Sequence, residues 1–61
     1  MKFKTGDKVR KIGGNYQAPG VILSGFHTTQ GAERYVSEFE SLTGMLHIFA
    51  PDQLELRNSD E

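Results

Sequence analysis

The sequence has no cysteine and no tryptophan, only two prolines, and no apolar run near the ~20 residues of a membrane-spanning helix. Without cysteine there are no disulfides, and thiolate-bound zinc or iron–sulfur clusters are excluded with them. His27 and His47 are the only histidines, too few for a structural zinc site of the usual four-ligand kind, so no metal is expected. Helical periodicity is also missing: no segment of ten or more residues repeats apolar side chains at three- and four-residue spacing. Neither sign of charge dominates, with seven Lys and Arg against eight Asp and Glu for a net charge of −1. The opening Met1-Lys2-Phe3-Lys4-Thr5-Gly6-Asp7 lacks the apolar core of a signal peptide, which makes a cytoplasmic location the expectation.

What remains is a chain of 61 residues, enough for one small domain. A fold of this size buries only about 60% of its unfolded surface, so its core is marginal. With disulfides and metals set aside, association with further copies is the most available support. Apolar residues at 36%, charged residues at 25% and seven glycines describe a globular chain rather than a disordered one. The charge is unevenly laid out. Residues 1–20 carry five cations against Asp7, residues 21–32 carry no formal charge, and residues 33–61 carry seven carboxylates against Arg34 and Arg57. An anionic ligand would find its field mainly in the first third. Equally, basic and acidic segments side by side would neutralise each other.

The layout is one of short strands separated by turn residues. Lys8–Ile12 reads as a first strand, ended by Gly13-Gly14-Asn15, with a loop up to Pro19. Gly20–His27 is the most apolar run and reads as a central strand, or as one with a face in the core and the other in a subunit interface. Thr28–Ala32 is a turn, Arg34–Phe39 a third strand, Glu40–Gly44 another turn, and Met45–Phe49 a fourth strand. Ala50-Pro51-Asp52-Gln53 reads as a single helical turn with Pro51 early in it, and Leu54-Glu55-Leu56 as a short closing strand. The expected fold is therefore all-β: a small five-stranded SH3-like barrel over residues 1–57, with one short helical turn before the last strand. Residues 58–61 are expected to form a polar C-terminal tail, and the linker-like, frayed composition is expected to start at Arg57.

No nucleophile turn and no glycine-rich loop feeding a helix is present, so catalytic and nucleotide-binding signatures are absent. Gly13-Gly14 is better explained as a hairpin turn than as a phosphate loop. Glu38 and Glu40, on one face at a strand end, read as solvated carboxylates rather than an acid/base pair. The segment that stands out is Met45-Leu46-His47-Ile48-Phe49. If Leu46 and Ile48 fill the core, then Met45, His47 and Phe49 face outward, a stripe suited to another subunit or a flat aromatic ligand. The plain alternative is a satisfied histidine over a neighbouring strand. Lys11 closes the first strand, either solvated or as a positive end-stop for a phosphate or carboxylate.

The order Gly6-Asp7-Lys8-Val9-Arg10-Lys11, an aromatic-bearing loop, Gly20-Val21-Ile22, then Gly44-Met45-Leu46-His47-Ile48-Phe49 and Leu54-Glu55 resembles the type II dihydrofolate reductases. These are plasmid-borne, trimethoprim-insensitive enzymes. The resemblance spans roughly residues 6–58 and implies an SH3-like barrel assembled as a homotetramer around a central pore, where NADPH meets dihydrofolate. It implies that Lys11 attracts the anionic tails of both ligands, that the backbone of Ile48 holds the carboxamide, and that His47 and Phe49 line the contact. Met45 would line the pore, and Phe26 would fall near an interface aromatic. The family's signature strand reads Val-Gln-Ile-Tyr after Gly-Ser. Here Leu46, His47 and Phe49 replace the Val, Gln and Tyr, and Met45 replaces the Ser. A neutral imidazole keeps one donor and one acceptor of the amide it replaces.

Three readings follow. One is a type II-like reductase that uses NADPH and dihydrofolate, with no catalytic acid of its own. Another is a non-catalytic SH3-like oligomer or adaptor. The last is a KOW-like module touching RNA or a ribonucleoprotein, which Gly6, Asp7, Val9, Gly13, Gly20 and Val21 also resemble. Nucleic acid is the least expected partner, because the acidic second half dilutes the basic start.

Overall fold

The computed structural model describes residues 1–57; the expected tail, residues 58–61, lies outside the described residues. Five antiparallel strands form one sheet: β1 (Lys8–Lys11), β2 (Ala18–His27), β3 (Glu33–Phe39), β4 (Leu46–Phe49) and β5 (Leu54–Leu56). Their order is β4-β3-β2-β1-β5, and a 3-10 turn at Pro51–Gln53 precedes β5. This is the all-β SH3-like barrel expected from the sequence. Among the described residues no helix is long and apolar enough to cross a membrane.

Local chemistry explains the boundaries. Thr28 closes the β2–β3 turn twice, accepting Ala32 N–H on Oγ1 at 3.1 Å and donating its own N–H to Ala32 O at 2.9 Å. Ala50 caps the 3-10 turn, its N–H donating to Gln53 Oε1 at 2.9 Å while Gln53 N–H returns to Ala50 O at 3.0 Å. Strand β2 starts at Ala18, earlier than expected. Pro19 sits inside it opposite Arg10, and its carbonyl accepts Glu40 N–H at 3.1 Å. A register shift between Ile22 and Ser24 bends β2 and lets one long strand serve both ends of the barrel.

The core is Phe3, Val9, Ile22, Tyr35, Phe39, Phe49 and Leu54. Strand β3 supplies its inward residues by simple alternation, Tyr35, Ser37 and Phe39. Gly25 lies opposite Tyr35, where an added Cβ would come within 3.1 Å of the phenol ring, a tight approach that favours glycine. Phe3 meets Tyr35 edge-on at 5.0 Å, and Phe3 N–H donates to Tyr35 Oη at 3.1 Å. The Tyr35 hydroxyl in turn donates to Glu33 Oε2, which also accepts Lys2 N–H at 3.1 Å. The N-terminal segment is thus tied to β3 by one shared carboxylate.

Two expectations need correction. Arg57 is not part of a frayed tail: its side chain is only 4% exposed and donates to Gly20 O and Glu40 Oε1, both at 3.1 Å. The larger correction is the parity of β4. Leu46 and Ile48 face outward, 56% and 61% exposed, while Phe49 is buried and His47 half-buried on the inner side. Met45 lies before the strand and is exposed. The reason is the partner strand. His47 and Phe49 stand opposite Ser37 and Tyr35, so the small Ser37 leaves room for the imidazole and the rings stack inward.

Candidate functional site

Strand β1 puts Lys11 on the same side as Val9, because residues two apart share a face. Lys11 is consequently buried, not solvated, at 7% exposure. Its ammonium donates to Gly13 O at 2.8 Å and makes a longer contact of 3.5 Å to Tyr16 O. It also sits 4.3 Å from the centre of the Tyr16 ring, within cation–π range. Gly13 and Gly14 make this wrap possible, with φ of +76° and +67°, a region side chains strongly disfavour.

From Lys11 the aromatic rings continue in a row. Tyr16 meets Phe39 edge-on at 6.3 Å. Phe39 stacks on His47 at 4.7 Å with a 24° interplanar angle, and His47 stacks on Phe49 at 6.0 Å and 16°. Phe39 and Phe49 also touch, at 5.7 Å. These separations are those of favourable ring pairs. The row runs from a held cation, past a half-exposed tyrosine and a half-buried imidazole, to the core. Nδ1 of His47 and Oγ of Ser37, its neighbour across β3 and β4, are both buried without a partner.

Three sequence-derived candidates therefore belong to one constellation: Lys11, His47 and Phe49. Tyr16 and Phe39 join them and were missed as site residues. Phe39 was legible, since it shares parity with Tyr35. Tyr16 carried a fainter signal, an aromatic five residues after a lysine in a glycine loop. The structure does not bring the other candidates into the row. Ile48 projects its side chain to the opposite face of β4, leaving only its backbone near the row. Phe26 pairs with Arg34 on the outer face, and Met45 is exposed ahead of β4.

The carboxylates fall into structural roles. Glu38 accepts Gly44 N–H at 2.6 Å and closes the β3–β4 turn, while Glu40 holds Arg57. Glu33 is held below the ordinary carboxylate range, chiefly by the Tyr35 hydroxyl and then by Lys2 N–H. Tyr35 is pushed above the ordinary phenol value by burial and then by the same Glu33 contact. Among the described residues no group of three or more His, Asp or Glu is arranged to hold a metal. No protein-family model matches the sequence, and no curated protein matches it either. The likeness to type II dihydrofolate reductases rests on the residues quoted for it above.

Proposed function

We propose that the chain is the subunit of a homo-oligomeric, NADPH-dependent dihydrofolate reductase of the type II kind, most simply a homotetramer. The observation that carries this reading is the row Lys11–Tyr16–Phe39–His47–Phe49, which joins a fixed cation to flat rings. Nicotinamide and pterin are flat and suit stacking beside His47 and Tyr16. Both ligands carry anionic tails, which the field of the buried Lys11 ammonium would attract from behind the Tyr16 ring. In this reading the dinucleotide would lie between copies of the chain.

In this reading the protein contributes little chemistry of its own. NADPH supplies the hydride. The row holds nicotinamide and pterin in contact, a proximity effect, and the proton comes from water. His47 offers one donor or one acceptor to the ligands, and the Ile48 backbone on the β4 edge takes the carboxamide. Phe49 fills the floor below His47 without the hydroxyl of the family tyrosine.

One observation favours a second reading, a non-catalytic oligomer. Leu46 and Ile48 are exposed, and an outward apolar pair would serve assembly whether or not any ligand binds. The RNA-binding reading has less behind it: Lys8 is exposed on the first strand, but Arg10 lies 3.7 Å from Glu55 and seven carboxylates follow in residues 33–61. The deciding assay follows NADPH oxidation with dihydrofolate, with and without trimethoprim. Trimethoprim-insensitive turnover supports the reductase. Absence of both turnover and NADPH binding leaves the oligomer, and a salt-sensitive RNA shift would revive the third reading.

A further inference from the structure

The outer face of β2–β3–β4 is apolar at its centre and charged at two opposite ends. In register, Phe26 lies beside Arg34, Ser24 beside Val36 and Val36 beside Ile48, while Val21 and Leu46 flank Glu38. Leu46 and Ile48 are more than half exposed, and Val21, Phe26 and Val36 are half-buried. Strand β3 thus reads Arg34, Val36, Glu38 along this face, cation, apolar centre, anion. That pattern is self-complementary under a two-fold rotation.

We propose that this face docks on the same face of a second copy, about a two-fold axis through Val36 that runs across the strands. The operation lays β3 antiparallel on its symmetry mate. It places Arg34 against Glu38 of the second copy and Glu38 against its Arg34. The same rotation sets Phe26 on the second copy's Val21, and stacks Val36 and Ile48 on their own equivalents. A single operator therefore matches cation to anion at Arg34 and Glu38 and apolar to apolar at Phe26, Val21, Val36 and Ile48, with Ser24 falling on its own equivalent, as an isologous interface requires. Both charged groups have capacity for the contact. Among the described residues Arg34 donates to Glu33 O at 2.7 Å through Nη1, and Glu38 accepts Gly44 N–H on Oε2. His47 and Phe49 project from the other face of β4, so this contact leaves the row they belong to uncovered by the second copy.

The proposal does not depend on the reductase reading, since it is read from mass in the absence of ligand. Sedimentation of the whole chain at micromolar concentration is expected to show a species of at least twice 6.8 kDa. Arg34→Glu should weaken association about tenfold or more by setting like charges face to face. Arg34→Glu with Glu38→Arg should recover it. Ile48→Asp, on the axis and exposed, should leave a folded monomer by circular dichroism. A wild-type monomer throughout the range overturns the proposal. So does association that survives both Arg34→Glu and Ile48→Asp, which would indicate strand pairing along the open β4 edge.

Discussion

The ammonium of Lys11 lies 4.3 Å from the centre of the Tyr16 ring, and the lysine is buried by the loop that carries that ring. A charge held this way keeps its position while two of its three N–H groups face carbonyls. It gives the aromatic row a fixed electrostatic end. It also makes the loop of residues 12–17 dependent on one side chain.

Replacing Lys11 by Met keeps the aliphatic stem and removes the hydrogen bond to Gly13 and the cation–π contact. Lys11→Met is expected to lower stability by about 1–2 kcal/mol in urea denaturation. It should also speed hydrogen exchange at residues 13–17 more than in β3. Exchange unchanged in that loop would mean that Lys11 does not hold it.

The Tyr35–Glu33 contact sets two pH limits. Tyr35 is raised in the folded chain, so its contribution is complete below the ordinary phenol value near 10.0 and is lost as pH rises through the folded value. Glu33 is lowered, so its contribution is present above about 4.5 and is lost as pH falls through the folded value. Thermal melts from pH 3 to 11 should show both losses. Tyr35→Phe should flatten the alkaline limb, and Glu33→Gln should weaken the acid limb. An alkaline limb unchanged in Tyr35→Phe would assign that loss to another group.

Ser37 is fully buried, and its hydroxyl has no partner. Removing an orphaned hydroxyl relieves a desolvation cost without breaking a bond, so Ser37→Ala is expected to be neutral or stabilising by up to about 1 kcal/mol. A loss of more than about 1 kcal/mol would show that Ser37 and His47 bond to each other in solution.

Much of this architecture was legible in the sequence. Gly13-Gly14, Gly31 and Gly44 punctuate the chain where turns occur, and alternation in Glu33–Phe39 sorts the inward from the outward residues of β3. The parity of β4 was not legible. In Met45-Leu46-His47-Ile48-Phe49 both faces are apolar or aromatic, so hydrophobicity alone does not choose between them. The choice is made across the strand pair, where Ser37 leaves space for His47 and Tyr35 stands beside Phe49. Lys11 shows the reverse case. Its parity with Val9 pointed inward, but a lysine is ordinarily assigned to solvent on residue type. Tyr16 depended on the path of a loop, which local sequence does not encode.

Gly25 tests the packing around Tyr35. An added methyl would meet the phenol ring at 3.1 Å and the Met1 Cε at 2.7 Å. The methionine end can move, whereas the ring is fixed by Phe3 and Glu33. Gly25→Ala is expected to cost about 1–3 kcal/mol in denaturant unfolding. A neutral result would mean that Tyr35 has slack in the core.

The central claim is that the row from Lys11 to Phe49 receives a flat, anionic ligand. With only two histidines, the imidazole ring protons of His27 and His47 are readily distinguished by proton NMR. Titration with NADPH is expected to shift the His47 ring and Tyr16 resonances together, with His27 and the outward methyls of Leu46 and Ile48 little changed. No shift at His47 with saturating NADPH, or shifts confined to the Leu46–Ile48 face, would contradict the account.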